Sequence, residues 1–437
     1  MSYKVFFDGP NSYNGKYNFF RLGGSPRLVK EFVNSIENEK SNIEEITIVW
    51  YLFNNHFLHN YLKNLSKSGV KINVITIPLE GYDSANPKHL INLENNEKSN
   101  KAYTKYDIAR MIFKEMYYDT EYPNYKLHFF SHLYVRSPRV KKFSRGQFPY
   151  SLHIKSAYIK KKNGFLLILS SSNLAVRDLV KHESMLLIQD EPNFDSSRMF
   201  FEHILKNSIP IKNYSSKNNR SKNSFQYINS TNTINHYFTA PFYFDSSNIL
   251  ELEIIKIISK AKNRVIVSGQ HLSSYNYNYD GTYHSKKGSM ETREGIFSEI
   301  IKLGLNNIKI TCLSQTYVDF ENNHNFRRPA NIRNFTALVE ALNQLPNIDY
   351  YVNSSIHSKF IIVDNILIFC TYNFTPTQFT FLDNVNINSF SEMPGLSYQG
   401  IHCEVAGHVV IDNRKILESF LKNVELIIND SETKKVM

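Results

Sequence analysis

The pattern of apolar and polar positions divides the chain into two similar runs of elements. In the first run, EEITIVWYLF reads as a buried strand, LHNYLKNLSKSG as a helix and VKINVITIPL as a second strand. In the second, NILELEIIKIISKAK has the spacing of an amphipathic helix, with Asp245, Ser246 and Ser247 as candidate caps. The strand RVIVSG, the helix IFSEIIKLGL and the strand IKITCLS follow it. Each run then offers a hairpin. SLHIKSAYI and FLLILSSSN fold about a turn at Asn163-Gly164, and IHSKFIIV and ILIFCTYN about a turn at Asp364-Asn365. Each closes on a strand that begins at a glutamate, ESMLLIQD from Glu183 and EVAGHVVID from Glu404, and the helix KILESFLKNVELII follows the last strand.

Strands alternating with helices predict an α/β fold in which each half has a mostly parallel central sheet flanked by helices. The expected boundaries are residues 1–207 for the first half, 208–240 for a linker and 241–437 for the second half. The linker is rich in Asn, Ser and Lys, lacks periodicity and carries Lys212, Lys217, Arg220 and Lys222 without an acid among them.

With 42% hydrophobic and 14% aromatic residues in 437, the chain has ample material for a core, which excludes wholesale disorder. The formal net charge of +11 favours anionic partners. Cys312, Cys370 and Cys403 are odd in number and lack CxxC spacing, so neither a disulfide framework nor a thiolate zinc site is expected. No leader-like N-terminal segment and no apolar run of roughly 18 residues is present, and a cytoplasmic protein is expected.

The candidate chemistry sits in the two hairpins. Residues i and i+2 of a strand share a face, so His153 projects with Lys155 and His357 with Lys359. The folded-back strands bring Ser171 and Asn173 toward the first pair, and Thr371 and Asn373 toward the second. The turn positions place each Asn across from its His. Lysines and amides can hold the non-bridging oxygens of a phosphate without a metal ion or other cofactor. One neutral imidazole can attack phosphorus, and the other can protonate the leaving oxygen and later activate water. His56 and His59, or His128 and His132, have no acidic or cysteine neighbour at ligand spacing and are expected to be structural.

This pattern resembles the phospholipase D superfamily, whose signature is HxKxxxxD followed by Ser/Thr-x-Asn. The second half matches in full at His357, Lys359, Asp364, Thr371 and Asn373. The first matches at His153, Lys155, Ser171 and Asn173, with Lys160 in place of the family aspartate. Tyrosyl-DNA phosphodiesterases, a branch of the superfamily, lack that aspartate in both halves, and the retained Asp364 departs from that branch. The resemblance implies two pseudo-symmetric halves around one cleft and a covalent phosphohistidine, with His153 as nucleophile and His357 as acid. It also implies that Glu183 and Glu404 orient the histidines, and that one chain suffices for the site; the oligomeric state stays open.

Basic segments precede both motifs. Arg136, Arg139, Lys141, Lys142 and Arg145 lie ahead of His153, and Arg327, Arg328 and Arg333 lie ahead of His357, with Phe143, Phe148, Tyr150, Phe326 and Phe335 interleaved. Rimming a cleft, they would form a basic track with stacking platforms for a nucleic-acid strand. The expected activity is therefore that of a metal-independent phosphodiesterase on nucleic acid, a nuclease or DNA-end processing enzyme. The alternatives are a phospholipase or phosphatidyl transferase acting on phospholipid, and a nucleic-acid-binding module with weak catalysis.

Overall fold

The computed structural model describes residues 2–13, 25–79, 105–131, 152–175, 180–189, 195–214, 235–240, 242–243, 249–272, 295–315, 338–339, 341–374 and 404–437. The first half forms an eight-stranded sheet from β1 (Ser2–Asp8), β2 (Ile43–Trp50), β3 (Lys71–Thr76), β4 (Tyr125–Phe129), β5 (Lys155–Lys161), β6 (Phe165–Ser170), β7 (Glu183–Gln189) and β8 (Ile209–Pro210), in the order β1-β7-β6-β5-β2-β3-β4-β8. The second half forms another from β9 (His236–Thr239), β10 (Arg264–Ser268), β11 (Lys309–Ser314), β12 (Ile348–Val352), β13 (Phe360–Val363), β14 (Ile366–Cys370), β15 (Ala406–Ile411) and β16 (Lys434–Lys435), in the order β9-β15-β14-β13-β10-β11-β12-β16. The two orders correspond strand for strand. The expected pair of pseudo-symmetric α/β halves is what the chain forms.

The sheets are mixed rather than mostly parallel. Only β2-β3-β4 and β10-β11-β12 run parallel; every other ladder in both sheets is antiparallel. Parallel neighbours need a long crossover, whereas the tight turns between β5 and β6 and between β13 and β14 join only antiparallel strands. Gly164 and Asp364 make these turns at φ values of +88° and +50°. The segment 208–240 is also more than a linker, because β8 and β9 fall inside it and join the two sheets as edge strands.

Helices cover three faces. α1 (Pro26–Glu37), α2 (His56–Ser66) and α3 (Lys105–Tyr118) bury Leu28, Phe32, Leu62 and Phe113 against the outer face of the first sheet. α5 (Ile249–Ile258) and α6 (Ile296–Leu305) do the same for the second through Ile254, Ile258 and Ile300. α4 (Asp195–Lys206) and α7 (Arg414–Ile428) contribute Phe200, Phe201, Phe420 and Val424 to a core shared by both sheets. Local chemistry fixes some of the ends. Asn55 caps α2 by accepting from Leu58 N at 3.2 Å, and Asn413 caps α7 by accepting from Ile416 N at 3.1 Å.

The shared core holds the two hairpins together at their open ends. Leu152 bridges Val405, and His182 bridges Ile356, both in parallel sense. The backbone of each histidine segment thus pairs with the closing strand of the opposite half. His153 N donates to Val405 O at 3.2 Å and His357 N to His182 O at 3.1 Å. Among the described residues, no helix is long and apolar enough to cross a membrane.

Candidate active site

The start of β5 and the residues before β13 carry the two His-Lys pairs. Both lysines are fully buried at the root of their strands. Each folds back on its own histidine's carbonyl: Lys155 Nζ donates to His153 O at 2.5 Å and Lys359 Nζ to His357 O at 2.6 Å. Lys359 also reaches across the junction to Ser171 O at 3.4 Å. Ser171 and Thr371 are buried and hold the closing strands in place. Ser184 N donates to Ser171 Oγ at 2.9 Å and Gly407 N to Thr371 Oγ1 at 3.2 Å. These bonds engage both hydroxyls with the scaffold.

The hairpin registers run one residue tighter than the turn positions predict. The ladders pair Ser156 with Leu169 and Phe360 with Phe369, so Asn173 and Asn373 fall past the strand ends rather than across from the histidines. The Oδ1 atoms of both are buried without a hydrogen-bond partner among the described residues. An unmet buried polar atom costs about 1–3 kcal/mol. Its occurrence at the same place in both halves marks a site shaped for a ligand.

The carboxylates act crosswise. His357 Nδ1 lies 2.6 Å from Glu183 Oε1 of the first half, in a hydrogen bond. His153 Nδ1 lies 2.8 Å from Glu404 Oε2 of the second, close enough to pair but out of line for a hydrogen bond. Glu183 is further held by Ser171 Oγ, which donates to Oε2 at 2.5 Å. With Nδ1 of each ring facing a carboxylate, Nε2 is the nitrogen left for chemistry.

The two glutamates open their strands in sequence but are not equivalent in space. Ser170 pairs with Met185 and Cys370 with His408, which makes Glu183 the counterpart of Ala406 and Lys181 the counterpart of Glu404. The bridges of Leu152 to Val405 and Ile356 to His182 give the same correspondence.

Burial and like charge shape the ionisation. Desolvation, then Lys155, holds the His153 imidazolium below its usual range, with Glu404 opposing. Desolvation and Lys359 hold His357 well below its own, aided by Lys181 and Lys155. Burial lowers Lys155 to about 7 against the pull of Glu404 and Glu183, lowers Lys359 well below the usual lysine range, and raises Glu183 to about 6. Charges from each half reach the histidine of the other, as one shared site requires. The site is a desolvated cluster with more cationic than anionic groups, suited to an anion.

Asp364 stands apart from this chemistry, contrary to the role its motif position implied. It lies in the turn at the far end of β13, where its carboxylate accepts from Lys262 N, Asn263 N and Arg264 N at 2.8, 2.9 and 3.0 Å. Burial would raise its pKa, but these donors leave it below the ordinary value. Lys160 occupies the same turn region of the first half and pairs with Glu44 at 2.9 Å on the surface. Both arrangements fasten a hairpin to the strand beside it. Asp364→Ala is expected to destabilise the protein by about 1–3 kcal/mol in urea unfolding, with activity per folded molecule on a small diester within about twofold of the parent. A thousandfold activity loss at unchanged stability would return Asp364 to the chemistry.

Three residues beside the histidines, Tyr51, Lys181 and His271, lie outside both motifs. Tyr51 presents its ring edge-on to His153 at 5.9 Å between centroids, and Lys155 Nζ lies 5.8 Å from the same ring. His271 is half-buried and feels the charges of Lys181, Lys359 and His153. Lys181 could have been found by alternation, since it sits two residues before Glu183 on the same face. His59 is structural as expected, though its partners come from afar: Tyr125 Oη at 3.0 Å and Glu115 Oε2 at 3.1 Å. His128 is buried on β4. Arg136, Arg139, Lys142, Arg327, Arg328, His132 and Cys403 lie outside the described residues. Among the described residues, no group of three His, Cys, Asp or Glu side chains converges to hold a metal ion.

No protein-family model matches the chain, and no curated protein matches it by sequence. Solved structures do match. Polyphosphate kinase from Porphyromonas gingivalis superposes over 99% of this chain and 48% of its own, at 9% identity and a TM-score of 0.52. Phosphatidylserine synthase from Haemophilus influenzae Rd KW20 superposes over 93% of this chain and 85% of its own, at 12% identity and a TM-score of 0.52. The chain thus spans about half of the kinase and most of the synthase. The fold is the two-half fold of phospholipase D-like enzymes.

Proposed function

We propose that the chain is a phosphodiesterase that acts on nucleic acid through a covalent phosphohistidine. The observation that carries this reading is the convergence of two His-Lys pairs, one from each half, with both lysines buried and carboxylates crossed between the halves. His153 Nε2 attacks phosphorus and the bond to the leaving oxygen breaks. That oxygen takes a proton from His357 Nε2. His357 then removes a proton from water, whose oxygen attacks the phosphohistidine and frees His153. Lys155, Lys359, Asn173 and Asn373 hold the non-bridging oxygens and offset the charge that grows on them, the task a divalent cation performs in other phosphodiesterases.

Nucleic acid is favoured by the net charge and by Arg136, Arg139, Lys142, Arg327 and Arg328 ahead of the motifs. Phospholipid is the second reading, favoured by the likeness to phosphatidylserine synthase over most of both chains. Labelled DNA, RNA and phospholipid incubated with the protein in excess EDTA separate the two. Nucleic-acid cleavage that survives EDTA is expected, with acid-labile phosphate on His153 in rapid-quench samples. Activity that EDTA abolishes and Mg²⁺ restores would refute the mechanism, and cleavage of phospholipid alone would replace the substrate.

Reversing the charges of Arg139, Lys142, Arg327 and Arg328 together should weaken DNA or RNA binding by orders of magnitude at moderate salt. Each lost phosphate contact removes a log–log salt slope of about 0.7 to 0.9. Cleavage of bis-p-nitrophenyl phosphate should fall far less, because it spans only the His, Lys and Asn groups. Equal losses on both would place the arginines in the pocket or the fold.

A further inference from the structure

The two half-sites differ in charge at one pair of equivalent positions. Glu404, against His153, corresponds to Lys181, and Glu183, against His357, corresponds to Ala406. Strand alternation puts Lys181 on the same face as Glu183, so it borders the His357 side of the site. It is only partly buried, and no carboxylate lies within ion-pair distance of it among the described residues. Its charge is nevertheless felt by His357, Lys359, Glu183 and His271. Lys155 and Lys359 are present twice by pseudo-symmetry and suffice for the two non-bridging oxygens of one diester. Lys181 has no counterpart of its own sign, so it is surplus to that task and borders only one side of the phosphorus.

We infer that Lys181 is a substrate-binding residue that reads a second phosphate, next to the scissile one on the His357 side. The inference rests on the phosphodiesterase reading and narrows its substrate class to chains of phosphates, such as a nucleic-acid strand, over diesters with a single charge. A partly exposed ammonium can meet a dianionic or neighbouring phosphate at small desolvation cost, and its attraction gains strength from the low-dielectric wall beside it. A phospholipid with an uncharged or zwitterionic head group presents no such partner.

The test uses thymidylyl-(3′→5′)-thymidine, with and without a 3′-phosphate on the nucleoside whose 5′-oxygen leaves toward His357, on the full chain. The wild type should favour the 3′-phosphorylated substrate by about tenfold or more in kcat/KM, mainly through KM, as one added charge-assisted contact predicts. Lys181→Met should lower turnover of both, with a penalty on the 3′-phosphorylated substrate about tenfold larger. Lys181→Arg should restore most of the preference, which a merely structural lysine would not require. Equal penalties, or no preference in the wild type, overturn the inference. If the wild type cleaves neither ester, the phosphodiesterase reading falls separately. Calorimetry with pyrophosphate and orthophosphate on wild type and Lys181→Met then decides: a pyrophosphate preference lost in the variant supports the second-phosphate site, and equal affinities in the wild type refute it.

Discussion

His153→Ala and His357→Ala are each expected to lower kcat on an activated diester by about 10³-fold or more, with little change in stability. The two losses should differ in kind. Removing His153 removes the atom that bonds phosphorus, so no phosphoenzyme forms. Removing His357 removes the proton donor and then the base for water, so an ester with a good leaving group should still load His153 and stall as the adduct. A trapped phosphate on His357 in the wild type would reverse the assignment. The pH profile is part of the same expectation. Burial and neighbouring lysines depress both imidazoles in the free protein. The singly protonated pair that the reaction needs therefore predominates on the acid side of the ordinary histidine range. The kcat/KM optimum should lie below a pH of about 6.5. The bound phosphate anion raises both groups, so the kcat optimum should sit at higher pH. A kcat/KM optimum on the alkaline side would contradict this electrostatic account.

Lys155→Met and Lys359→Met should inactivate while they stabilise. The expected loss of kcat is about 10²- to 10³-fold each, because a desolvated cation at the transition-state oxygens is removed. Thermal or urea unfolding should show a gain of about 1–3 kcal/mol for Lys155→Met near neutral pH, since burying an ammonium costs more than its partners return. Glu183 limits the gain, but its raised pKa lets it take up a proton. The sign can be checked with pH. The Lys155 pKa is about 7 in the folded protein, below its unfolded value, so between these the unfolded state binds more protons and wild-type stability rises with pH. The variant lacks this dependence. Its advantage should therefore be largest below pH 7 and shrink as pH climbs toward the ordinary lysine range. A Lys155→Met protein that is both less stable and inactive would show that the lysine is a net structural asset.

The sequence by itself determined the elements that carry their own periodicity or turn chemistry. The strands around Ile46, Val74, Val265 and Ile310, the helix from Arg414 and both hairpins are set by local patterning. So is the sharing of a face by His153 with Lys155 and by His357 with Lys359. Edge strands β1, β8, β9 and β16 were not legible, because short edges are chosen by the neighbour they cover rather than by their own alternation. The one-residue shift of both hairpins was equally hidden, since register depends on turn geometry and on which face the core claims.

Only the tertiary structure decided the support of the site. Each glutamate serves the histidine of the opposite half, and the contact between Glu183 and His357 spans 174 residues of sequence. Asp364 belongs to a turn because three backbone N–H groups converge on it there, which motif spacing cannot show. Lys181 takes the place that Glu404 has in the other half because Glu183 opens β7 at the position of Ala406, two residues beyond the counterpart of Glu404. Local preferences act over a few residues, whereas these choices arise where two sheets close on one core and bring their open ends together.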